Sequence, residues 1–304
     1  MHNTLKRFFD SDIWYSFTRS PVAMIAAVMV TIYILGALFS PLLAPHDLFN
    51  LKTVYLENGS KPPAWTEGGN PQFLLGTDDQ GRDVLSTIMY GSRISLVVGI
   101  CAVLLSMLIG ITLGLISGYF GGVLDAFIMR VADIQLSFPA ILIAILINGV
   151  ARAVLNAEYH DQIAVHVLIF AIAASGWVRY ARTVRGSALV ERNKEYVQAA
   201  RVIGRRPFAI MFSHVLPNAM GPVLVLATLH IGEAIITEAT LSFLGIGMPP
   251  TQPSLGTFIQ NGNQFLFSGE WWLTVFPGGA LVILVLSINL FGDWLRDALN
   301  PKLR

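Results

Sequence analysis

Few side chains in this sequence could do chemistry, and most of them lie among apolar residues. The chain has six histidines and one cysteine, Cys101, in 304 residues. It contains neither His-Glu-x-x-His nor Gly-x-Ser-x-Gly, the motifs of zinc hydrolases and of serine nucleophiles. His230 and Glu233 are three residues apart, but no second histidine completes a zinc motif. The Gly-x-x-x-x-Gly-Lys loop that holds nucleotide phosphates is also missing. We therefore expect no catalytic residue, no metal site and no cofactor in this chain.

Composition points to the membrane. Hydrophobic residues make up 54% of the chain and charged residues 13%, about half the share found in soluble domains. The formal net charge is +1. This balance excludes a disordered protein, a coiled coil and a nucleic-acid-binding protein with a basic surface.

Long stretches without charged residues divide the chain into six predicted membrane spans. A helix needs about 20 apolar residues to cross the hydrocarbon core, and a charge placed at its centre costs about 3 kcal/mol. The six stretches lie between Arg19 and Asp47, Arg93 and Asp125, Asp133 and Arg152, Asp161 and Arg179, Arg206 and Glu233, and Glu270 and Asp293. The first is longer than the apolar part of a cleavable signal peptide, so we expect it to be a span. Residues 239–269 are also uncharged but rich in glycine and proline, which predicts a loop or re-entrant segment.

Basic residues in the predicted loops set the orientation. The segments 1–20, 118–133, 179–206 and 293–304 hold 15 of the 20 Lys and Arg residues. Because cytoplasmic loops are enriched in these residues, we expect these segments and both termini in the cytoplasm. The turn-rich segment 44–91 is then an external loop, and 179–217 is a cytoplasmic loop. The sequence thus predicts one all-α transmembrane domain, 1–304, with six helices.

A short helix is predicted inside the cytoplasmic loop, over residues 193–203. Asn193 is placed to cap it, and Gly204 suits the left-handed position after its last turn. Pro207 prevents the helix from continuing. Its small residues, Ala199 and Ala200, would let a partner approach closely. The alternative is an ordinary basic loop that only sets topology.

The spacing around this helix resembles a family signature. Gln198-Ala199-Ala200 is followed by three residues, Gly204, nine residues and His214-Val215-Leu216-Pro217. Permeases of bacterial ABC importers carry Glu-Ala-Ala, three residues, Gly, nine residues and Ile-x-Leu-Pro. Gln198 replaces the acid and His214 the aliphatic residue. Segments 75–86, 125–139, 238–247 and 289–303 resemble the dipeptide/oligopeptide/nickel branch of these permeases, and most of all its dipeptide-type second subunit.

The resemblance implies a type I ABC importer permease, a non-catalytic half-channel in the bacterial inner membrane. Its implied partners are a homologous second permease, two cytoplasmic ATPases that bind ATP and Mg, an external peptide-binding protein and lipid, with no nucleic acid. The short helix would be the coupling helix seated on one ATPase. The implied coupling residues are Tyr196, Gln198, Ala199, Ala200, Gly204, Arg205, Leu216 and Pro217. Gln198 cannot form the salt bridge open to the usual Glu, so that interaction is either absent or replaced by a neutral hydrogen bond.

Polar residues within the spans have two interpretations each. Glu233 and Glu238 could line a peptide path, or they could be structural, Glu233 through His230 one turn away. Three other charged residues, Asp125, Arg130 and Asp133, predict an interfacial ion pair. Gly110, Gly114 and Gly118 form two small-xxx-small steps, which predict close helix packing rather than a gate.

Two questions about function remain open at this point: the cargo and the source of energy. The cargo could be di- or oligopeptides, or it could be a nickel complex or another small peptide-like solute. A stand-alone secondary transporter driven by an ion gradient would show repeated halves, and we find no clear internal repeat.

Overall fold

The computed structural model describes residues 12–48 and 56–299, and its main elements are helices. The residues predicted to be cytoplasmic at 1–11 and 300–304, and 49–55 of the predicted external loop, lie outside the described part. The main helices are α1 (Pro21–Leu38), α2 (Val84–Phe120), α3 (Gly122–Leu136), α4 (Ala140–Val154), α5 (His160–Glu191), α6 (Glu195–Val202), α7 (Leu216–Phe243), α8 (Leu255–Phe265) and α9 (Trp272–Leu299). Shorter helical segments are Asp12–Arg19, Ser40–Leu43, Leu56–Asn58, Ala157–Tyr159, Pro207–Ile210, a π turn at Met211–Val215, and Leu266–Ser268.

The predicted number of spans agrees with the helices if one bent pair counts as a single span. Five helices within the described residues are long and apolar enough to cross a membrane. A sixth candidate consists of α3 and α4, which meet at an angle of 95°. The bend falls beside Pro139, and a residue before proline avoids the helical conformation. At 15 residues, α4 is only about 22 Å long, shorter than the hydrocarbon core.

Two helices extend into the predicted loops. α2 begins at Val84, inside the predicted external loop 44–91, because the Asp83 side chain caps it by accepting from the Ser86 amide at 2.8 Å. α5 continues through Arg179 and the arginines after it to Glu191, inside the predicted cytoplasmic loop 179–217. Those arginines pair with acids on neighbouring helices, so the charge run does not mark the end of the helix.

The glycine-rich segment 239–269 contains more helix than predicted. α7 continues to Phe243, and α8 then forms a helix too short to cross the bilayer, at about 16 Å. A capping box between Ser254 and Thr257 starts α8. Gly256 lets it pack directly on α7, where an added Cβ would overlap the Ala239 carbonyl oxygen.

The most extensive helix–helix packing among the described residues is between α2 and α5. A Cβ at Gly110 would lie 2.5 Å from the Trp177 carbonyl oxygen, and one at Gly114 would overlap the Ala181 carbonyl oxygen. At Gly118 it would lie 2.8 Å from the Arg185 carbonyl oxygen. The packing predicted for the three glycines is therefore confirmed, and it brings the two helices into backbone contact.

We predict that Gly114→Ala destabilises the protein by about 1–3 kcal/mol, because its methyl group would press on backbone that cannot yield. Gly186→Ala on α5 is the matched control, since a Cβ there has no neighbour within 4 Å. Thermal unfolding of the detergent-solubilised protein should show a lower midpoint for Gly114→Ala and an equal or higher one for Gly186→Ala. An unchanged midpoint for Gly114→Ala would contradict the packing.

Candidate functional site

α6 lies against the end of α5, which precedes it, and the start of α7, which follows it. Val197 is fully buried and Ala200 nearly so, and both belong to the main hydrophobic core. The predicted cap was wrong: Lys194 occupies the capping position and its side chain makes no capping bond. The side-chain amide of Asn193 instead donates to the Leu189 carbonyl at 3.1 Å, which holds this residue to the end of α5.

The end of α6 has the predicted left-handed glycine. Gly204 has φ +81°, and its amide donates to the Arg201 carbonyl at 2.9 Å. The Arg205 amide donates to the Ala200 carbonyl at 3.1 Å, which completes a Schellman motif. The signature glycine therefore fixes where α6 stops and the chain turns toward α7.

Polar and aromatic contacts hold α6 to three other helices. The Tyr196 hydroxyl donates to Glu191 and accepts from the Asn218 side chain at 2.9 Å. Its ring stacks on His214, with ring centroids 6.2 Å apart. Burial, with the Glu191 hydrogen bond second, raises the pKa of Tyr196. His214, which replaces the aliphatic residue of the signature, therefore packs on Tyr196. The spacing of the signature in the sequence could not predict this contact.

Two arginines connect the α6 region to the end of α2. Arg192 donates to the Gly118 carbonyl at 3.0 Å, so it satisfies a free carbonyl at the end of that helix. The Arg201 guanidinium lies over the Tyr119 ring, 5.0 Å from its centroid. Neither arginine was among the predicted coupling residues.

The outer face of α6 is exposed and partly apolar. Gln198 and Ala199 are exposed, and the side-chain amide of Gln198 donates to the Arg192 carbonyl at 3.2 Å. Val202 is 88% exposed and Ile203 is 81% exposed. We call Gln198, Ala199, Val202 and Ile203 the α6 face.

The remaining predicted coupling residues lie beside α6 rather than on this face. The Arg205 guanidinium is 3.5 Å from the Ser213 hydroxyl. Leu216, the first residue of α7, is half-buried and packs on the main core, whereas Pro217 is exposed. Leu216 and Pro217 thus form the first turn of α7, which continues directly from the π turn at Met211–Val215.

The two predicted path residues lie in different surroundings. Glu238 is fully buried and accepts from the Ser95 and Ser242 hydroxyls, each at 2.7 Å. It therefore does not line an open path in this structure. Glu233 is half-exposed and binds Arg179 in a bidentate ion pair, with distances of 2.5 and 2.8 Å. Its lining role stays a prediction.

His230 is not the partner of Glu233. Its Nδ1 lies 2.9 Å from the Tyr180 hydroxyl, and the imidazole is buried. The other predicted ion pair is also arranged differently, because Asp125 binds Arg185 and Asp133 binds Arg182. The sequence spacing predicted Arg130 as the partner of these aspartates because it is near them in the chain. Their partners are instead arginines of α5, which packs against α3.

The segment 75–86 forms a tight turn before α2. Asp78 accepts from the Arg82 side chain at 2.6 Å, and the Arg82 guanidinium lies over the Phe258 ring of α8. The Trp272 indole of α9 donates to the Thr77 carbonyl at 3.2 Å. Burial raises the pKa of Asp78 despite the opposing effect of Arg82. The turn therefore holds the start of α2 against α8 and the start of α9.

Comparison with known families decides the identity of the fold. Residues 110–304 match the family described as the binding-protein-dependent transport system inner membrane component. The chain belongs to this family. Residues 9–63 also match the N-terminal transmembrane domain of oligopeptide transport permease C. The chain is therefore a permease subunit, as the signature predicted.

Individual relatives extend over nearly the whole chain. The dipeptide transport system permease protein DppC of Haemophilus influenzae is 42% identical over 294 residues, which cover 96% of this chain and 95% of that protein. DppC of Escherichia coli K12 is 43% identical, with coverage of 96% and 93%. The oligopeptide transport system permease protein OppC of Bacillus subtilis is 38% identical, with coverage of 96% and 90%.

A solved structure supports the fold. An inward-facing form of the MetNI methionine ABC transporter superposes with a TM-score of 0.53 at 20% identity. The match covers 69% of this chain and 94% of that one. The predicted all-α ABC importer permease fold is confirmed. Within residues 12–48 and 56–299, no group of three or more His, Cys, Asp or Glu side chains is placed to hold a metal ion.

We predict that Gly204→Val loosens α6, because a β-branched residue in the left-handed region costs at least about 1–2 kcal/mol. Hydrogen–deuterium exchange of the α6 amides should become about tenfold faster. Gly204→Asn is the control, since asparagine tolerates this conformation and a Cβ here meets nothing within 4 Å. Equal exchange in the two variants would contradict the role of the backbone conformation.

Proposed function

We propose that this chain is the membrane-spanning subunit of an ATP-driven importer that carries di- or oligopeptides across the bacterial inner membrane. The names of its relatives support the cargo, since two are dipeptide permeases and one is an oligopeptide permease. The chain itself is non-catalytic. Two cytoplasmic ATPases bind ATP and Mg, a homologous permease supplies the other half of the channel, and an external binding protein delivers the peptide.

The single observation that carries this proposal is the α6 face. Val202 and Ile203 are large, apolar and almost fully exposed, which marks a surface for a partner rather than for water. The opposite side of α6 is held to α2, α5 and α7 by Arg192, Tyr196 and the buried Val197. A displacement of this face by a partner would therefore move the spans, because α6 is attached to them by these contacts.

The orientation follows from the same proposal. The α6 face meets the ATPases in the cytoplasm, so both termini lie in the cytoplasm and the turn at 75–86 lies outside. Gln198 cannot supply the charge-assisted contact open to the usual Glu, so the apolar residues Val202 and Ile203 supply more of the binding energy to the ATPase.

We predict that Ile203→Glu weakens ATPase binding about tenfold or more, because docking would bury an unpaired carboxylate. Co-purification of the ATPases with the assembled complex measures this. Phe267→Glu is the matched control: Phe267 is 98% exposed but lies beyond α8, toward the opposite face. It should leave ATPase co-purification unchanged.

Uptake into vesicles separates the proposal from its alternatives. The complex should accumulate peptide only when ATP is hydrolysed, and Ile203→Glu should reduce both activities. Accumulation by the lone chain on an ion gradient would favour a secondary transporter. Uptake of a nickel complex without peptide uptake would assign the other cargo.

A further inference from the structure

A cleft lies between the α3–α4 bend and α5. Its volume is about 340 Å³, within the range typical of small-ligand sites. The lining includes Gln135, Phe138, Ser175, Arg179 and Arg182. Gln135 holds one wall in place: its amide donates to the Ala174 carbonyl at 2.7 Å and its carbonyl accepts from the Trp177 indole at 2.7 Å.

The Arg179–Glu233 ion pair joins this cleft to α7 and lies between two helices that are candidate membrane spans. Arg179 is about 18 Å from the inner end of α5 at Glu191, and Glu233 is about 15 Å from the outer end of α7 at Phe243. Both charges thus lie away from the ends of two helices that are long and apolar enough to cross a membrane.

Neither charged group is buried in the fold. The Arg179 side chain is 35% exposed and that of Glu233 is 52% exposed. Charged groups at this depth are costly against lipid, so they face a water-filled path or a protein partner. The Asp125–Arg185 pair differs, because Asp125 is only 16% exposed and also binds the Ser117 hydroxyl.

From this geometry we propose that Arg179 and Glu233 form an exchangeable ion pair that receives the two charged ends of a peptide in transit. The inference rests on the proposed function. The peptide carboxylate replaces Glu233 on the Arg179 guanidinium, whose fork matches a carboxylate, and the peptide ammonium then pairs with Glu233. The two side chains re-pair when the peptide leaves.

Charge balance favours this exchange over a purely structural pair. Breaking the pair alone would leave two uncompensated charges in a low-dielectric region. A zwitterion compensates both at once, and the termini of an extended dipeptide are separated by about 7 Å, a distance that two neighbouring side chains can bracket. A solute with only one charge would leave the other side chain unpaired.

The test uses the complete complex with its ATPases, second permease and binding protein, reconstituted in vesicles. Dipeptide uptake and ATP hydrolysis are measured together for the wild type and for the neutral pair Arg179→Gln with Glu233→Gln. We expect uptake about tenfold or more below the wild type, with ATP hydrolysis changed less than about twofold. Arg179→Lys keeps the charge but loses the fork, so its uptake should lie between the two.

The matched control neutralises the more buried pair, Asp125→Asn with Arg185→Gln. If this control loses function, uptake and ATP hydrolysis should fall together, because it acts through the structure. The inference is overturned if the Arg179/Glu233 variant transports like the wild type, or if its uptake, ATP hydrolysis and thermal midpoint fall in parallel. A wild-type complex that hydrolyses ATP but takes up no dipeptide would contradict the proposed function itself.

Discussion

The direct backbone contact between α2 and α5 is the constraint on which the rest of the molecule depends. Gly110, Gly114 and Gly118 bring the backbones of the two long helices into contact, so these helices pack as one body. The inner end of this body carries Arg192 on the Gly118 carbonyl and Arg201 over Tyr119. α6 is therefore attached to a rigid pair, and this attachment makes a short helix able to transmit displacement.

Ion pairs between helices form the second level of organisation. Arg179 of α5 pairs with Glu233 of α7, whereas Arg182 and Arg185 pair with Asp133 and Asp125 of α3. Because each of these arginines has an acidic partner, α5 can continue as a helix to Glu191 without leaving any of the three charges unpaired. The pairs at Glu233 and Asp133 are both more exposed than the pair at Asp125.

Local sequence information was enough for features with local causes. The uncharged stretches predicted the spans, and the local residue types over 193–207 predicted a helix closed by Gly204. Features that depend on contacts distant in the chain were not accessible. The end of α5, the partners of Asp125 and Asp133, and the Tyr196–His214 stacking are fixed by helices that meet only in the folded protein. The prediction that Asn193 caps α6 was wrong for a related reason, because its side-chain amide bonds to the Leu189 carbonyl of α5.

The most direct measurement of the account is the side of the membrane on which the α6 face lies. In a chain whose Cys101 is replaced by alanine, Gln198→Cys should react with a membrane-impermeant thiol reagent in inverted vesicles and stay unlabelled in right-side-out vesicles. Phe267→Cys should show the opposite pattern. Labelling of position 198 from the outer side would contradict the account, because the α6 face could then meet no ATP-hydrolysing subunit.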